Sequence, residues 1–533
     1  MLKKINLDHN KKLLIPELIK IVGIDNVIQD ENELDFFSSD IFYESSIKAS
    51  LVISPKSSEQ TASSINLITS YGIPVIPRGG GMSYTGGYTP MIDGSVIIDL
   101  RKLNNIININ KEDMYVTVEC GVTWKTLYEE LKKHGLRTPY FGPFSGIHAT
   151  VGGALSQNSV FYGSSLYGTA AESVLSLDVA LQDGTILKTG SNSNKINPSP
   201  FFRTYGPDLT GLFLGDTGAL GFKVKATLKL IPFPKEQRFS SFDFSSDLEM
   251  FETMGEITRK QLAQECYGFD PFLMGLRMQF EGLKKDLKSL SALTKSQKNI
   301  FSGVKEVIKV ASAGRSFMEG VGYAMHITVE GKNDKEVSSS IEQIKSIAEK
   351  NNGKEIANSL PKLVRANPFL PTNRLLGPKG ERWVPIHVIL PHSKVKGILK
   401  EIDSYFNANK DIIEKNKIKW GYLTSTIGTS AILLEPTFFW EDSHYQIHKR
   451  YIEKSHYNKL NTFPENLAAR NAMKKIREDM SSIFMNNGGT HLQVGKMYKY
   501  KENRQETAWN LLVSIKKILD PNNLINPGSL GLK

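Results

Sequence analysis

Short apolar runs and amphipathic segments alternate along the first 235 residues of the chain. Runs rich in Val and Ile predict strands, whereas apolar residues spaced three or four positions apart predict helices. Strands are predicted at 51–55, 73–76, 96–98, 115–120, 174–181, 184–188 and 223–231, and helices at 13–22, 57–71 and 123–134. The sixth strand follows the fifth across a short Gln-Asp-Gly turn, which predicts a hairpin.

After residue 235 the pattern changes to longer amphipathic helices, with more lysine and fewer glycines. Two segments share one plan: strand 324–330 precedes helix 335–350, and strand 384–390 precedes helix 394–406. A repeated strand–helix unit of this kind predicts an antiparallel sheet with helices on one face. A further strand is predicted at 431–436, and further helices at 466–484 and 506–519.

Three consecutive glycines follow the predicted strand 73–76, and Arg78 precedes them. Glycines are favoured where φ is positive or where another group approaches the main chain closely. Their N–H groups, together with Ser83, can form a concave nest for an anion such as a phosphate. A strand rather than a helix comes next, so this stretch is not the dinucleotide-binding fingerprint. A plain glycine-rich surface loop is the alternative.

Two further clusters of small residues occur at 142–168 and 215–221. Large side chains are nearly absent from 149–158, so we expect a partner to pack directly against the backbone there. The last cluster comes directly before the predicted strand 223–231.

The composition is that of a globular protein with more than one domain. Of its 533 residues 40% are hydrophobic and 23% are charged. The net charge of +11 is spread along the chain, which favours anionic ligands or an acidic membrane surface and does not indicate nucleic acid. Cys120 and Cys266 indicate neither a disulfide framework nor a zinc site. Without a signal-peptide pattern or an apolar run of about 18 residues, a cytoplasmic protein is expected, with peripheral attachment to the inner membrane face left open.

Taken in order, these landmarks resemble the flavin-binding domain of the vanillyl-alcohol oxidase / p-cresol methylhydroxylase (PCMH) superfamily. The stretches that carry the resemblance are 77–81 (Pro-Arg-Gly-Gly-Gly), 150–158 (Thr-Val-Gly-Gly-Ala-Leu-Ser-Gln-Asn), 167–168 with 179–184, 206–221 and the closing 517–528. The resemblance implies an α+β fold with a PCMH-type two-subdomain FAD-binding domain at 1–235. It implies an inserted cap of antiparallel sheet and helices at 236–485. The C-terminal segment 486–533 would return to the FAD domain.

The same resemblance implies FAD in a cleft between the flavin domain and the cap. Its pyrophosphate would lie on the backbone of residues 78–83, and small residues would line the rest of the cofactor. The residues placed around FAD in this way are Pro77, Arg78, Gly79, Gly80, Gly81, Met82, Ser83, Tyr84, Pro143, Gly146, Thr150, Val151, Gly152, Gly153, Gln157, Asn158, Gly163, Tyr167, Gly168, Gly218, Gly221 and Asn526.

Met82 stands where family members that tether their flavin through this loop carry a histidine. A thioether cannot form that bond, and no cysteine lies between 142 and 153 for a second tether. FAD is therefore expected to be bound non-covalently, with attachment through His387 or His392 of the cap as the alternative.

His491 lies in a stretch, 488–496, that is closest in motif to the D-lactate dehydrogenase / glycolate oxidase branch. There it resembles the base that acts on the substrate hydroxyl, and His387 is a second catalytic candidate. Oxidation of a 2-hydroxy acid also needs a hydride acceptor and a cation for the carboxylate. Lys496, Arg203 or Arg382 could supply that cation. Because Thr490 replaces the branch's metal-binding glutamate, no metal is assigned, and a core or capping role remains the alternative for His491.

The leading prediction is therefore an FAD-dependent dehydrogenase of a D-lactate-like or glycolate-like 2-hydroxy acid that passes electrons to a quinone or cytochrome. The first alternative is an aromatic alcohol or phenol oxidase of the same fold, in which Tyr422, Tyr498 or Tyr500 would bind a phenolate. The second is a non-redox use of FAD, as in alkyl-glycerone-phosphate synthases. No nucleic-acid partner is expected, and a homodimer is left open.

Overall fold

Three larger sheets and one two-stranded sheet make up the strands of the computed structural model, which describes residues 7–279 and 322–532. The first six residues of the predicted FAD-binding domain, residues 280–321 of the predicted cap and residue 533 lie outside the described residues. Most predicted strands and helices are confirmed within one to three residues of their predicted ends.

The first sheet is built from short strands with almost no polar positions. Its spatial order is Val27–Ile28, Leu51–Ile53, Val96–Asp99 and Val75–Arg78, and the last three strands are parallel. Both faces of these strands are buried, which accounts for their unbroken apolar runs. Helices Leu7–Val22 and Ser58–Ser70 lie against this sheet. The glycine loop leaves directly from the end of strand Val75–Arg78.

The second sheet is antiparallel and has five strands. Their spatial order is Ile106–Asn110, Tyr115–Glu119, Phe222–Lys229, Val174–Ala180 and Ile186–Lys188. The last two strands form the predicted hairpin, which is confirmed. A two-stranded sheet of Leu136–Arg137 and Ile231–Pro232 lies beside it.

The third sheet has eight strands, all antiparallel, and contains the strands of the predicted cap. Their spatial order is Lys354–Ile356, Glu236–Phe244, Tyr323–Gly331, Glu265–Phe269, Lys419–Ile427, Ala431–Trp440 and Arg382–Pro385, with Val388–Pro391 also paired to Ala431–Trp440. The strand predicted at 384–390 is thus two strands, which Ile386 and His387 separate.

Side chains of this large sheet alternate between two cores. Cys266, Met325 and Ile327 pack with helices Asp247–Arg259 and Asp334–Lys350, as predicted for a sheet with helices on one face. Tyr267 and Ala324 face the other way and join a core that includes the second sheet.

The remaining helices connect these sheets. They are Glu31–Phe37, Trp124–Lys133, Val151–Gln157, Ser164–Tyr167, Leu209–Leu212, Pro271–Gln279, Ser359–Ala366, Val395–Ala408, Lys410–Lys415, Gln446–Tyr451, Lys454–Tyr457, Leu467–Asn486 and Glu506–Leu519. The C-terminal residues return to the first sheet, because Val75 N–H donates to the Leu524 carbonyl and Asn526 N–H donates to the Val75 carbonyl, both at 2.8 Å. The domain limits at 235 and 485 stay predictions.

Four buried charges join the large sheet to the residues before it. Arg137 pairs with Glu330, and Arg365 pairs with both Glu330 and Glu265, the latter at 2.6 Å. Both guanidinium groups lie over the ring of Phe141, at 4.7 and 4.5 Å. The cluster is neutral as a whole, so each charge is compensated although water is excluded.

Replacing Arg137 with methionine should destabilise the protein by about 3–5 kcal/mol, because part of the Glu330 charge is left buried without its partner. Urea unfolding followed by circular dichroism measures this. The matched control is Arg238→Met, which breaks the exposed pair of Arg238 with Asp334 and should cost less than about 1 kcal/mol. Equal losses in the two variants would contradict a stabilising role for the cluster.

Candidate cofactor cleft

The glycine loop presses directly against the second stretch of small residues. A Cβ on Gly79 would overlap the Thr150 hydroxyl, and a Cβ on Gly80 would overlap the His148 carbonyl oxygen. The group that approaches the backbone at these two glycines is therefore the chain itself. The two loops form one continuous wall that no larger side chain could enter.

The backbone of the glycine loop offers a row of free donors. None of the N–H groups of residues 79–83 donates a hydrogen bond to an acceptor among the described residues. Gly81 has a φ of +69°, and a Cβ there would lie 2.7 Å from an Arg78 guanidinium nitrogen. Successive free N–H groups at such a turn form a nest that binds anionic oxygens.

Arg78 lies beneath this loop and is 1% exposed. None of its three guanidinium nitrogens has a hydrogen-bond partner by distance and angle among the described residues, although its charge lowers the pKa of the nearby Tyr88 against the effect of burial. Its nearest rings are Phe36 and Phe37, each 4.5 Å from the guanidinium carbon, and Tyr88 at 5.2 Å. A buried cation without an anion is costly, so a ligand that brings negative charge to this position would compensate it. The donor set fits a phosphate or pyrophosphate.

These groups border one concave cleft, the kind of place where small molecules and cofactors bind. Fourteen of the predicted cofactor residues line it: Pro77, Arg78, Gly79, Gly80, Gly81, Met82, Ser83, Pro143, Thr150, Gly152, Gly153, Gln157, Gly218 and Gly221. These residues could be predicted from the sequence because they lie in runs of small residues.

Eight predicted cofactor residues do not line the cleft, and most of them hold its walls in place. Asn526, which is buried, donates from Nδ2 to the carbonyls of Gly87 and Thr217, both at 2.8 Å. Val151 N–H donates to the Val122 carbonyl, and Asn158 ends helix Val151–Gln157 in the left-handed region with φ +49°. These residues hold the main-chain segments of the cleft wall in place without lining the cleft.

Three more of the eight are glycines at positions where other parts of the protein leave no room for a side chain. A Cβ would overlap the Phe369 ring at Gly146 and the Pro139 carbonyl at Gly163, and would lie 3.1 Å from the Glu172 carboxyl at Gly168. The ring of Tyr167 lies 5.7 Å from the Arg137 guanidinium. Tyr84, the last of the eight, is described below.

Twelve residues that were not predicted also line the cleft: Gly87, Tyr88, Leu100, Cys120, Ser145, Ala149, Ala154, Ser156, Ser159, Thr217, Lys223 and Gln493. Most lie inside the small-residue stretches and could have been included from their position alone. Leu100, Cys120, Lys223 and Gln493 carry no such signal, because they come from other elements of the fold.

One end of the cleft is polar. Gln493 Nε2 donates to the Tyr84 hydroxyl at 3.3 Å, and Tyr84 lies near the carboxyl of Glu435 on strand Ala431–Trp440, close enough to influence the pKa of that carboxyl. Glu435 lies deep in the protein but keeps part of its surface accessible. Burial raises the pKa of this carboxyl to about 8, although the nearby Tyr84 hydroxyl opposes the rise. Burial, and then Glu435, raise the pKa of Tyr84 well above its usual value.

Arg477 lies behind this polar end and was not predicted. It is buried, and it donates to the Tyr84 carbonyl at 2.8 Å. Its charge acts on both Tyr84 and Tyr498, lowering their pKa values against the effect of burial. A negative charge near Tyr84 is therefore favoured by this arginine.

His491 does not line the cleft but borders a separate, smaller cavity. Its Nδ1–H donates to the His387 carbonyl at 2.8 Å, and its ring stacks on Tyr498 with centroids 3.8 Å apart. Burial lowers the pKa of His491 to about 4, so the imidazole is neutral at pH 7. His387 is fully buried beside the Tyr498 hydroxyl, and burial lowers its pKa well below the usual value. The rings of His387 and Tyr498 thus lie between His491 and Tyr84.

Lys496 lies under the loop that follows Gly86, where its Nζ donates to the Thr89 carbonyl at 2.6 Å. Burial lowers the pKa of this amine to about 7. The other two predicted cations are engaged elsewhere: Arg203 pairs with Asp208 at 2.8 Å, and Arg382 donates to main-chain carbonyls that include that of Phe42.

Two of the three predicted aromatic candidates, Tyr498 and Tyr500, border the cavity of His491. The third, Tyr422, contacts Asp247 at 3.3 Å on the helix-covered side of the large sheet. In residues 7–279 and 322–532 there is no group of three or more His, Cys, Asp or Glu residues arranged to hold a metal. No helix in these two ranges is long and apolar enough to cross a membrane.

Two family models match the chain. One, described as FAD binding domain, matches residues 49–190, and the other, described as FAD linked oxidases, C-terminal domain, matches residues 453–530. Residues 49–190 are therefore similar to FAD-binding domains, and residues 453–530 to the C-terminal domain of FAD-linked oxidases. The cofactor of this chain is FAD.

Curated relatives match over less than half of their length. The mitochondrial D-lactate dehydrogenase [cytochrome] of Kluyveromyces lactis is 33% identical over 39% of this chain and 38% of that protein. The glycolate oxidase subunit GlcD of Bacillus subtilis is 28% identical over 42% of this chain and 45% of that protein.

Solved structures match over nearly the whole chain. The structure of p-cresol methylhydroxylase with substrate bound has a TM-score of 0.74 at 16% identity and covers 98% of this chain and 97% of its own. An alkyldihydroxyacetonephosphate synthase has a TM-score of 0.67 at 17% identity and covers 97% of this chain and 84% of its own. At these identities the likeness shows the fold, which is the predicted α+β PCMH-type fold.

The residues of the cleft fit FAD. Arg78 and the N–H groups of residues 79–83 would hold the pyrophosphate, because they are unpaired donors on a surface that lacks side chains. Small residues such as Gly152 and Gly153 leave room for flat ring systems along the facing wall.

Replacing Arg78 with methionine should weaken FAD binding about 10- to 100-fold, because a charge-assisted contact to the pyrophosphate is lost. The FAD-free variant should be at least as stable as the parent, since an unpaired buried charge has been removed. Flavin fluorescence titration and urea unfolding of FAD-free protein measure the two effects. The control Arg382→Met should show the opposite pattern, with lower stability and unchanged affinity. An unchanged affinity in Arg78→Met would contradict the assignment.

Proposed function

We propose that this protein oxidises a small 2-hydroxy acid of the D-lactate or glycolate class and passes the electrons to a quinone or cytochrome. The observation that carries the proposal is the acid–phenol pair of Glu435 and Tyr84, which lies behind Gln493 of the cleft wall. The dehydrogenase and oxidase names of the curated relatives support the substrate class.

Oxidation of a hydroxy acid removes a hydride from the α-carbon and a proton from the hydroxyl group. FAD, when bound, supplies the hydride acceptor. The chain itself has to accept the proton, orient the carboxylate and keep water away from the reacting carbon. Met82 on the cleft wall offers no atom for a flavin tether, so we propose that FAD is held non-covalently.

Glu435 and Tyr84 can accept the proton together. As Tyr84 takes the hydroxyl proton of the substrate, it passes its own phenolic proton to the Glu435 carboxylate. Neither group has to carry an additional charge on its own, and a pKa of about 8 brings the acceptor near neutral pH. Gln493 fixes the phenol from the cleft side and so limits its orientation.

His491, the base predicted from sequence, is the alternative proton acceptor. Its neutral ring has Nδ1 committed to the His387 carbonyl, so Nε2 carries the lone pair. With a pKa near 4 it is a weaker base than Glu435. It would reach the cleft only through His387 and Tyr498. We therefore propose Glu435 with Tyr84 as the acceptor, and His491 as the candidate to be tested against it.

The substrate carboxylate needs a cation near the same end of the cleft. Lys496 is buried and has no carboxylate partner among the described residues. Its main-chain N–H donates to the carbonyl of Thr85, which follows Tyr84 in the sequence. Arg477 adds a fixed positive charge behind the loop. We propose Lys496 as the direct partner and Arg477 as a source of positive potential.

Anaerobic addition of D-lactate or glycolate to the FAD-loaded protein should bleach the visible flavin absorbance, because the cofactor is reduced. Vanillyl alcohol, added in parallel at the same concentration, should leave the spectrum unchanged. Bleaching by the aromatic alcohol alone would favour the phenol-oxidising alternative. No bleaching by any hydroxy acid or alcohol would contradict the proposed oxidation and favour a non-redox use of FAD.

The kcat/KM of the parent protein should rise with pH to a maximum between about 7 and 8, because deprotonated Glu435 accepts the proton while Lys496 has to stay charged to bind the substrate carboxylate. Glu435→Gln should lower kcat by about 10²- to 10⁴-fold and remove this rise. Tyr84, Tyr498 and Arg477 are the other titratable or charged groups that act on this carboxyl or its phenol partner.

Asp270→Asn is the matched control for this profile. Asp270 is another buried carboxyl with a pKa raised to about 7, and it accepts from the N–H of Leu273 without contacting Tyr84. This variant should keep the rise in kcat/KM. If Glu435→Gln keeps the rise, Glu435 is not the proton acceptor, and a rise centred near pH 4 would identify His491 instead.

A further inference from the structure

Large apolar side chains are exposed together on one surface loop, residues 195–209, here called the apolar loop. Sixteen large hydrophobic residues are exposed among the described residues, and five of them lie on this loop. They are Ile196, Phe201, Phe202, Tyr205 and Leu209, with exposures between 43% and 81%, and no other phenylalanine in the described ranges is exposed. Such a concentration is unusual on a surface that faces only water.

The fold holds this loop in place. Phe202 N–H donates to the Ser191 hydroxyl at 3.0 Å, and Ser191 N–H donates to the Phe202 carbonyl at 2.8 Å. Arg203 pairs with Asp208 and also donates to the Ala171 carbonyl at 2.7 Å. The phenylalanines therefore project from an anchored backbone, and their exposure is a property of the folded chain.

The charge around the loop is positive on balance. Residues 183–209 contain three basic residues, Lys188, Lys195 and Arg203, and two acidic ones, Asp183 and Asp208. Arg203 pairs with Asp208, and exposed Lys188 lies opposite Asp178 on the neighbouring strand, beyond ion-pair distance. Lys195 is exposed and forms no ion pair with a described residue. An apolar surface with a basic border is complementary to an anionic bilayer, where aromatic rings enter the interface and lysines meet lipid headgroups.

We propose that the apolar loop docks this protein on an anionic lipid surface. A second copy of the chain fits less well, because a two-fold contact through this loop would bring the same unpaired lysines of both copies together. Hydrophobic contact supplies binding to any bilayer, and Lys188 and Lys195 supply the preference for anionic lipid. The inference goes beyond the proposed oxidation and does not require it.

The loop is close to the cofactor cleft along a chain of hydrogen bonds. Arg203 binds the Ala171 carbonyl, Ala171 N–H donates to Asn158 Oδ1 at 3.4 Å, and Asn158 follows Gln157, which lines the cleft. A docked protein would therefore hold this end of its cleft near the bilayer, where apolar electron acceptors dissolve.

The test is sedimentation of the full-length FAD-loaded protein with vesicles of phosphatidylcholine alone or mixed with phosphatidylglycerol. The parent protein should sediment with the anionic vesicles, and less so at high salt. The double substitution Phe201→Ser and Phe202→Ser should reduce binding to anionic vesicles at least about tenfold. Lys188→Glu with Lys195→Glu should remove the preference for phosphatidylglycerol.

The matched control is Leu511→Ser with Ile518→Ser on helix Glu506–Leu519, where both side chains are also well exposed, at 63% and 78%. This variant should bind vesicles like the parent. Absence of parent binding, or equal binding by the phenylalanine variant, would overturn the proposal. So would a dimer in sedimentation velocity that the phenylalanine variant dissociates. Flavin content and circular dichroism check that the variants are folded, and turnover is not needed for the result.

Discussion

The contact between two segments of main chain, at residues 79–80 and 148–150, is the constraint on which the cleft depends. A single methyl group at Gly80 would overlap the His148 carbonyl, so the two loops can meet only without side chains. Because they meet, the glycine loop turns over Arg78 and keeps its N–H groups free of protein acceptors. The cleft is thus a consequence of close backbone packing, and its anion-binding character follows from the donors that this packing leaves unpaired.

Two sets of buried charge differ in a way that separates structure from ligand binding. The cluster of Arg137, Arg365, Glu265 and Glu330 is internally neutral, so it contributes to holding the large sheet in place. Arg78 is equally buried but has no acidic partner among the described residues. A folded protein retains such a charge at a free-energy cost unless a ligand compensates it. The geometry by itself therefore points to an anionic cofactor at this position.

The wall of the cleft could be predicted from sequence because its signals are local. Consecutive glycines after an apolar strand indicate that another group approaches the main chain closely. They do not identify that group: it is the Phe369 ring at Gly146 and the Pro139 carbonyl at Gly163, rather than a cofactor. The strands and helices were predictable for the same local reason. The exception is the strand predicted at 384–390, which is broken at Ile386 and His387 although its residues are apolar enough for one strand.

The polar end of the cleft could not be predicted in this way, because its parts are far apart in the chain. Tyr84, Glu435 and Gln493 come from the glycine loop, a strand of the large sheet and the C-terminal segment, and none of them belongs to a sequence motif of the others. They meet only if the large sheet sits correctly against the first part of the chain, which the neutral charge cluster and the shared apolar core favour. The binding of the cofactor is therefore encoded in short stretches, whereas the chemistry proposed for the substrate depends on how the sheets pack. Related chains could keep the cofactor-binding stretches and change the substrate chemistry, because a substitution at Glu435 leaves every contact of the glycine loop with residues 148–150 in place.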